Sequence, residues 1–357
     1  MAEVTTRAAT ITGPEQLEIS EVTVPAVGDL QLLVDVRACG ICGSNLHEWR
    51  HPELSISAGD GPDPGATGHE IAAMVIEAGE GAGVAPGRRV VLEPNRVTAC
   101  GACAACVDGR AWFCRTRTQI AVWGFSERMV VPAASAFEVP DGLSDVAATL
   151  VEPAACGVHA LRHSWTAVGR DRGLEGATIA ILGAGVTGLL ALVAARHLGA
   201  GRVVVAARHP HQAEAARRLG ADEVFDTGDD DLEQQLRRVR PELTIEAVGG
   251  RASTFELACR TTAPAGEIAV LGLFDEPQQL DVRRAIFREL RCFFPVTYAE
   301  LSGRHDFDVA IDLLTAAGGA IDDLVTHRYG LREVDAAFRM AADKQAGSLR
   351  VVVEPHM

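Results

Sequence analysis

From residue 1 to about 150, apolar positions come in short runs such as Leu32-Leu33-Val34-Asp35-Val36 and Met129-Val130-Val131-Pro132, each broken by Gly, Pro or Asp. Such punctuation predicts a mostly β domain. From about residue 155 the rhythm changes to strand–helix alternation. A strand is predicted over Thr178–Leu182, then a helix running to Leu198, a strand over Arg202–Ala206 and a helical Gln212–Leu219 stopped by Gly220. Further strands fit Leu243–Ala247 and Glu267–Leu271, with a helical Ala252–Arg260 between them. This order predicts an α/β domain with a doubly wound parallel sheet of the Rossmann kind. Beyond about residue 300, a helical Asp306–Ala316 and a last strand over Leu349–Val353 read as a return to the first domain. The expected division is 1–154 for the first domain, 155–298 for the parallel-sheet domain and 299–357 for the returning segment.

At 357 residues the chain exceeds the usual size of a single core, in keeping with two domains. A net charge of −15 repels polyanions and argues against nucleic acid as a partner. The start, MAEVTTRAAT, has no basic segment followed by an apolar stretch, so no secretory signal is read. The longest apolar stretch, Ile179–Ala195, is interrupted by Gly183, Gly185 and Gly188, which suits a strand, a turn and a buried helix better than a membrane span. Nine cysteines, an odd number with tight spacing, point to metal binding in a reducing compartment, hence the cytoplasm.

Cys100, Cys103, Cys106 and Cys114 have the spacing C-x2-C-x2-C-x7-C, within a lobe expected over 94–116. Four thiolates leave no open coordination position, which describes a structural zinc rather than a catalytic one. Directly after an apolar strand, Gly183-Ala184-Gly185-Val186-Thr187-Gly188 opens a helix. Gly183 permits the tight turn, Gly185 lets backbone approach a pyrophosphate, Gly188 lets helix pack on strand, and the helix N-terminus attracts the phosphates. An acid that would hold an adenosine ribose is missing: no Asp or Glu occurs from Ala184 through Ala213, and the second strand ends in Ala207-Arg208-His209. Room and positive charge at Ala207 and Arg208 suit a 2′-phosphate, so NADP is the expected cofactor, with NAD as the second choice.

The run Cys39-Gly40-Ile41-Cys42-Gly43-Ser44-Asn45-Leu46-His47, followed by Gly68-His69-Glu70, resembles the zinc-dependent medium-chain alcohol and polyol dehydrogenases. The resemblance extends through the four-cysteine lobe, Val84-Ala85-Pro86-Gly87-Arg88-Arg89-Val90, Gly124-Phe125-Ser126-Glu127, Glu152-Pro153, the glycine turn and Thr326-His327-Arg328. It implies a GroES-like mostly-β catalytic domain plus a Rossmann cofactor domain. It also implies two zinc ions per chain, the catalytic one held by Cys42, His69 and Glu152, with Glu70 as a carboxylate that exchanges with Glu152 or water. Thiolate and carboxylate together would cancel the charge of Zn2+ and leave a Lewis acid able to polarise an alcohol oxygen. Ser44 and His47 match the family's proton relay. Asn45 stands where the family usually has Asp. As an acceptor of the hydrogen bond that orients His69 it lacks the negative charge that raises imidazole basicity, so weaker zinc binding or slower turnover is expected.

Glu152-Pro153, Glu93-Pro94-Asn95 and His47-Glu48-Trp49 resemble the polyol, sugar-alcohol and threonine dehydrogenase branches more than the ethanol branch, which favours a secondary hydroxyl. The resulting expectation is an oxidoreductase that moves a hydride between NADP(H) or NAD(H) and a secondary alcohol or ketone. Trp49, Trp123, Phe125 and Arg96 are candidate pocket walls as well as candidates for ordinary packing. Cys156, Cys259 and Cys292 read as small buried apolar residues, and Cys39 as structural. Family likeness further implies a homodimer or homotetramer joined through edge strands of the Rossmann domain. Two other classes remain open: a non-catalytic zinc- and dinucleotide-binding protein, which nicotinamide absorbance with substrate would exclude, and a zinc-independent quinone or enoyl reductase, which lacks both ligand sets.

Overall fold

Strands β1 (Val4–Gly13) and β2 (Gln16–Val24) pair antiparallel and lead into β3 (Gln31–Gly40). This is a computed structural model, and it describes residues 4–52, 68–117, 123–167 and 173–357; residues 1–3, where the reading of the N-terminus began, lie outside it. After β3 come helix α1 (Gly43–Arg50), β4 (Glu70–Ala78) and β5 (Arg89–Leu92). Short helices α2 (Pro94–Thr98) and α3 (Ala104–Val107) carry the cysteine lobe. Strands β6 (Arg128–Pro132) and β7 (Ala136–Glu138) and helix α4 (Asp145–Ala148) complete the first stretch.

Helix α5 (Val151–Ala167) opens the α/β region. Then follow β8 (Thr178–Leu182), α6 (Val186–His197), β9 (Arg202–Ala207), α7 (Pro210–Arg218), β10 (Glu223–Asp226), α8 (Leu232–Val239) and β11 (Leu243–Glu246). The region continues with α9 (Thr254–Thr261), β12 (Glu267–Val270), α10 (Val282–Phe287) and β13 (Arg291–Phe293). A small hairpin, β14 (Glu300–Leu301) and β15 (Arg304–His305), precedes α11 (Asp306–Ala317). The chain ends with β16 (Val325–Gly330), α12 (Val334–Ala342) and β17 (Arg350–Glu354).

Two compact units result, one of Met1–Glu152 with Leu314–Met357 and the other of Pro153–Leu313. In the first, the strands run in the order β16-β17-β3-β4-β5-β7, with β6 also on β3. Alternate residues Ile71, Ala73 and Val75 of β4, with Leu32, Leu33, Val34 and Val36 of β3, join a core that includes Trp49, Phe125 and Phe338, with ring centroids 5.7 Å apart for Trp49–Phe338 and 5.4 Å for Phe125–Phe338. In the second unit six parallel strands run in the order β10-β9-β8-β11-β12-β13. Order reverses at β8, and the glycine turn follows that strand, where open α/β sheets bind ligands. The mixed β and Rossmann α/β architecture read from the sequence is therefore the observed one.

The segment 299–313, expected in the returning part, packs instead with the second unit. Asp306 is the reason: its carboxylate lies 2.8 Å from His159 Nδ1 and 2.6 Å from an Arg162 guanidinium nitrogen, both on α5. Arg162 also donates to the carbonyls of Leu301 and Arg304 at 2.8 and 3.2 Å.

Candidate metal sites and cofactor turn

Sheet register assembles the first site. Gly40, the last residue of β3, pairs with Glu70 of β4 on one side and with Val352 of β17 on the other. A Cβ at Gly40 would lie 2.0 Å from Glu70 Oε2, so only glycine leaves the Glu70 carboxylate its place over the strand. Across β3 it meets Arg350 of β17, whose guanidinium lies 2.7 Å from Glu70 Oε2 and donates to Ile41 O at 2.6 Å. Both side chains are buried. Immediately after β3 the chain turns at Cys42, the N-cap residue of α1, and ligand atoms of Cys42, His69 and Glu70 come within 4.8 Å of one another.

The donor set fits zinc. Thiol, imidazole and carboxylate are its preferred ligands, and the fully buried Glu70 Oε1 has no hydrogen-bond partner among the described residues, an arrangement a cation would repair. Glu152, in the first turn of α5, lies outside that three-atom cluster but is buried beside it. Burial, with help from the Glu70 and Cys42 charges, pushes its carboxyl up to about 8 against the opposing pull of His69 and Arg350. Burial also raises the Cys42 thiol, reinforced by the Glu70 charge. Ser44 and His47 both lie on α1, Ser44 exposed and hydrogen-bonded to the Cys42 thiol, His47 half-buried.

Asn45 departs from its expected role. Its Oδ1 accepts the Cys42 N–H at 3.1 Å, so the oxygen is already engaged and Nδ2 is the atom that faces His69 Nδ1, 3.5 Å away.

In the lobe, Cys100, Cys103, Cys106 and Cys114 bring their sulfurs within 4.8 Å of one another, with Cys103–Cys106 and Cys100–Cys114 each at 3.5 Å. Backbone N–H groups of Ala102 and Cys103 draw the Cys100 thiol down to about 6, whereas burial pushes Cys106 up to about 12. Four converging sulfurs without a disulfide match a closed tetrahedral thiolate shell.

At the cofactor turn, Gly183 has φ +105°, and a Cβ there would lie 2.6 Å from Val248 Cγ2. Gly188 comes so close to the strand that a Cβ would stand 1.9 Å from Gly183 O. By contrast, Gly185 opens α6 as its N-cap, and a Cβ there would meet nothing within 4 Å. The first helical bond runs from Leu189 N to Gly185 O, which leaves the amides of Val186, Thr187 and Gly188 without helical acceptors beside that open space. A dinucleotide pyrophosphate fits this arrangement. Ala207 is buried at the end of β9, and Arg208 is exposed just beyond it.

Residues 28–141 match the model of the alcohol dehydrogenase GroES-like domain, and residues 186–316 match that of the zinc-binding dehydrogenases. An L-threonine 3-dehydrogenase of Pseudoalteromonas translucida is 30% identical over 335 residues, covering 91% of this chain and 93% of that protein. The chain belongs to the zinc-dependent medium-chain dehydrogenase family. It is an alcohol-dehydrogenase-type oxidoreductase. A sorbitol dehydrogenase of Bacillus subtilis is 27% identical, covering 98% of this chain and 97% of its own. Among solved structures, a Sinorhizobium meliloti protein described as a zinc-binding dehydrogenase and bound to NADP superposes with a TM-score of 0.82 at 30% identity, covering 99% of this chain and all of that one.

Several other residues of the dehydrogenase find roles outside the site. Trp49 and Phe125 are core residues packed on Phe338 rather than pocket walls, and Arg96 pairs with the buried Glu93 at 2.8 Å. Cys39 and Cys259 are buried and Cys156 is partly buried, but Cys292 is exposed because β13 is the edge strand of its sheet. His159, His163 and Asp306 form a further cluster within 4.8 Å. Asp306 is already occupied there by Arg162, His159 and the Ala299 N–H, hydrogen bonds that hold its carboxyl below the ordinary range although burial opposes them. That cluster fastens the hairpin to α5. Sequence reasoning missed Gly40 and Arg350; a glycine closing an apolar strand was the available signal for the first. No helix among the described residues is long and apolar enough to cross a membrane.

Proposed function

We propose that this dehydrogenase moves a hydride between NADP(H), with NAD(H) as the poorer partner, and a secondary alcohol or its ketone of the polyol, sugar-alcohol or amino-alcohol kind. The observation that carries the reading is the convergence of Cys42, His69 and Glu70 around a buried carboxylate oxygen that lacks a hydrogen-bond partner among the described residues. When bound, zinc would supply Lewis-acid polarisation of the substrate oxygen, and the nicotinamide would accept or deliver the hydride. Cys42 and His69 hold the catalytic metal together with a carboxylate from Glu70 or Glu152, while Cys100, Cys103, Cys106 and Cys114 hold a structural one. Ser44 and His47 carry the hydroxyl proton outward from the buried site along α1.

The amides of Val186, Thr187 and Gly188 cradle the pyrophosphate, and Gly185 leaves it room. Arg208, exposed just beyond β9, would hold the 2′-phosphate with no competing acid on that strand; NADP in the Sinorhizobium meliloti relative supports this preference. Relatives named for threonine and sorbitol support an amino alcohol or polyol as substrate. Homodimers or homotetramers would form through β13, an edge strand neighboured in sequence by the exposed apolar side chains of Ile286, Phe287 and Phe294.

The test is a panel of secondary alcohols, polyols, amino alcohols and their ketones, assayed with both cofactors on protein carrying two zinc ions. Turnover with higher kcat/KM for NADP is expected. Equal or better efficiency with NAD removes the cofactor preference, and no turnover of any panel member removes the substrate class.

A further inference from the structure

The orientation of one buried amide bears on how the first site takes a metal, an inference that rests on reading Cys42, His69 and Glu70 as ligands. Cys42 caps α1, and its backbone N–H donates to Asn45 Oδ1 at 3.1 Å. A backbone N–H can only donate, so the Asn45 oxygen must face it, and the opposite choice would set two donors against each other. Asn45 is 1% exposed, so its amide is withdrawn from solvent. Its NH2 group is thereby presented to His69 Nδ1, 3.5 Å away. Facing an amide donor, Nδ1 serves as the acceptor, and the proton of the neutral imidazole resides on Nε2. A metal-ligating histidine has the reverse need: one ring nitrogen binds, and the other donates its proton to an acceptor.

We propose that Asn45 is a positioning residue that holds His69 in the Nε2–H tautomer, so that loading the Cys42/His69/Glu70 site requires the Asn45 amide to turn over and release the Cys42 N–H. The site therefore takes zinc against a local hydrogen-bond pattern and holds it more loosely than the four-cysteine lobe, which carries no such conflict. This chain accordingly has one exchangeable metal and one retained metal.

The experiment measures zinc affinity at both sites by chelator competition in the wild type, Asn45→Asp and Asn45→Ala, together with the His69 tautomer in metal-free protein by 15N NMR of the histidine rings. In Asn45→Asp the carboxylate accepts from both Cys42 N–H and His69 Nδ1–H, and zinc binds the first site about 10- to 100-fold more tightly, with the lobe unchanged. Asn45→Ala removes the opposing donor without adding charge and binds zinc at least as well as the wild type. The wild type shows His69 protonated on Nε2, and Asn45→Asp shifts that proton to Nδ1. A wild-type Nδ1–H tautomer, weaker binding by Asn45→Ala, or equal affinity in Asn45→Asp with two zinc ions bound overturns the inference and leaves the ligand assignment standing. Should neither the wild type nor Asn45→Asp bind zinc beyond the lobe, the ligand assignment falls and the inference with it.

Discussion

Arg350 and Glu70, carried on β17 and β4, meet across β3 with 2.7 Å between guanidinium and carboxylate, and both are buried. The pair holds the Glu70 carboxylate beside Cys42 and His69. Removing one member of a buried pair strands the other charge, a loss of about 3–5 kcal/mol. Arg350→Met should lower the unfolding free energy of metal-free protein by that order, and excess zinc should restore more stability than it adds to the wild type. Identical zinc-induced thermal shifts in the two proteins would show that Glu70 does not pass between guanidinium and metal.

Glu152 provides a pH signature. Its carboxyl is held up to about 8 in the folded, metal-free protein, well above the ~4.3 of an unfolded glutamate. The folded chain thus keeps a proton that the unfolded chain has lost, so the stability it contributes is complete below about pH 4 and disappears as pH rises through about 8. Metal-free Glu152→Gln should lack this decline, so the melting temperatures of wild type and variant should diverge between pH 5 and 8, windows set by about those two values. Parallel melting curves across that range would be the contrary result.

The glycine turn offers two substitutions with opposite readouts. A methyl at Gly185 meets open space, so Gly185→Ala should change stability by no more than about 0.5 kcal/mol. It should nevertheless weaken cofactor binding about tenfold or more, which is ~1.4 kcal/mol, by filling the place of the pyrophosphate. At Gly188 the same methyl would press on Gly183 O, and Gly188→Ala should destabilise the fold by about 1–3 kcal/mol. Cofactor titration and urea melts on both variants check this, and unchanged affinity in Gly185→Ala would place the phosphates elsewhere.

The two cysteine groups should fail differently. Structural zinc contributes about 10–16 kcal/mol in small peptides, so Cys103→Ser should lose one zinc equivalent and expose the 94–116 lobe to limited proteolysis. Cys42→Ser should keep a protease-resistant lobe and lose turnover. A Cys103→Ser protein that retained both metals and resisted protease would contradict the division of labour.

What the chain's order of residues settled by itself was whatever depends on neighbours in sequence. The four cysteines lie within one short lobe, so their spacing already contains their convergence. The glycine turn is a strand, a corner and a helix in succession, and β8 runs over Thr178–Leu182 as its apolar run implies. Short β10 and amphipathic α8 were harder to read, because Glu223-Val224-Phe225-Asp226 is too brief and polar at its ends to stand out. Tertiary structure alone decided the rest. Strand register carried Arg350 to Glu70 over Gly40, buried partners drew Asp306 to α5, and an N-cap N–H claimed the oxygen of Asn45. Each of those outcomes depends on which group reaches a buried donor or acceptor first, and that competition is settled in three dimensions rather than along the chain.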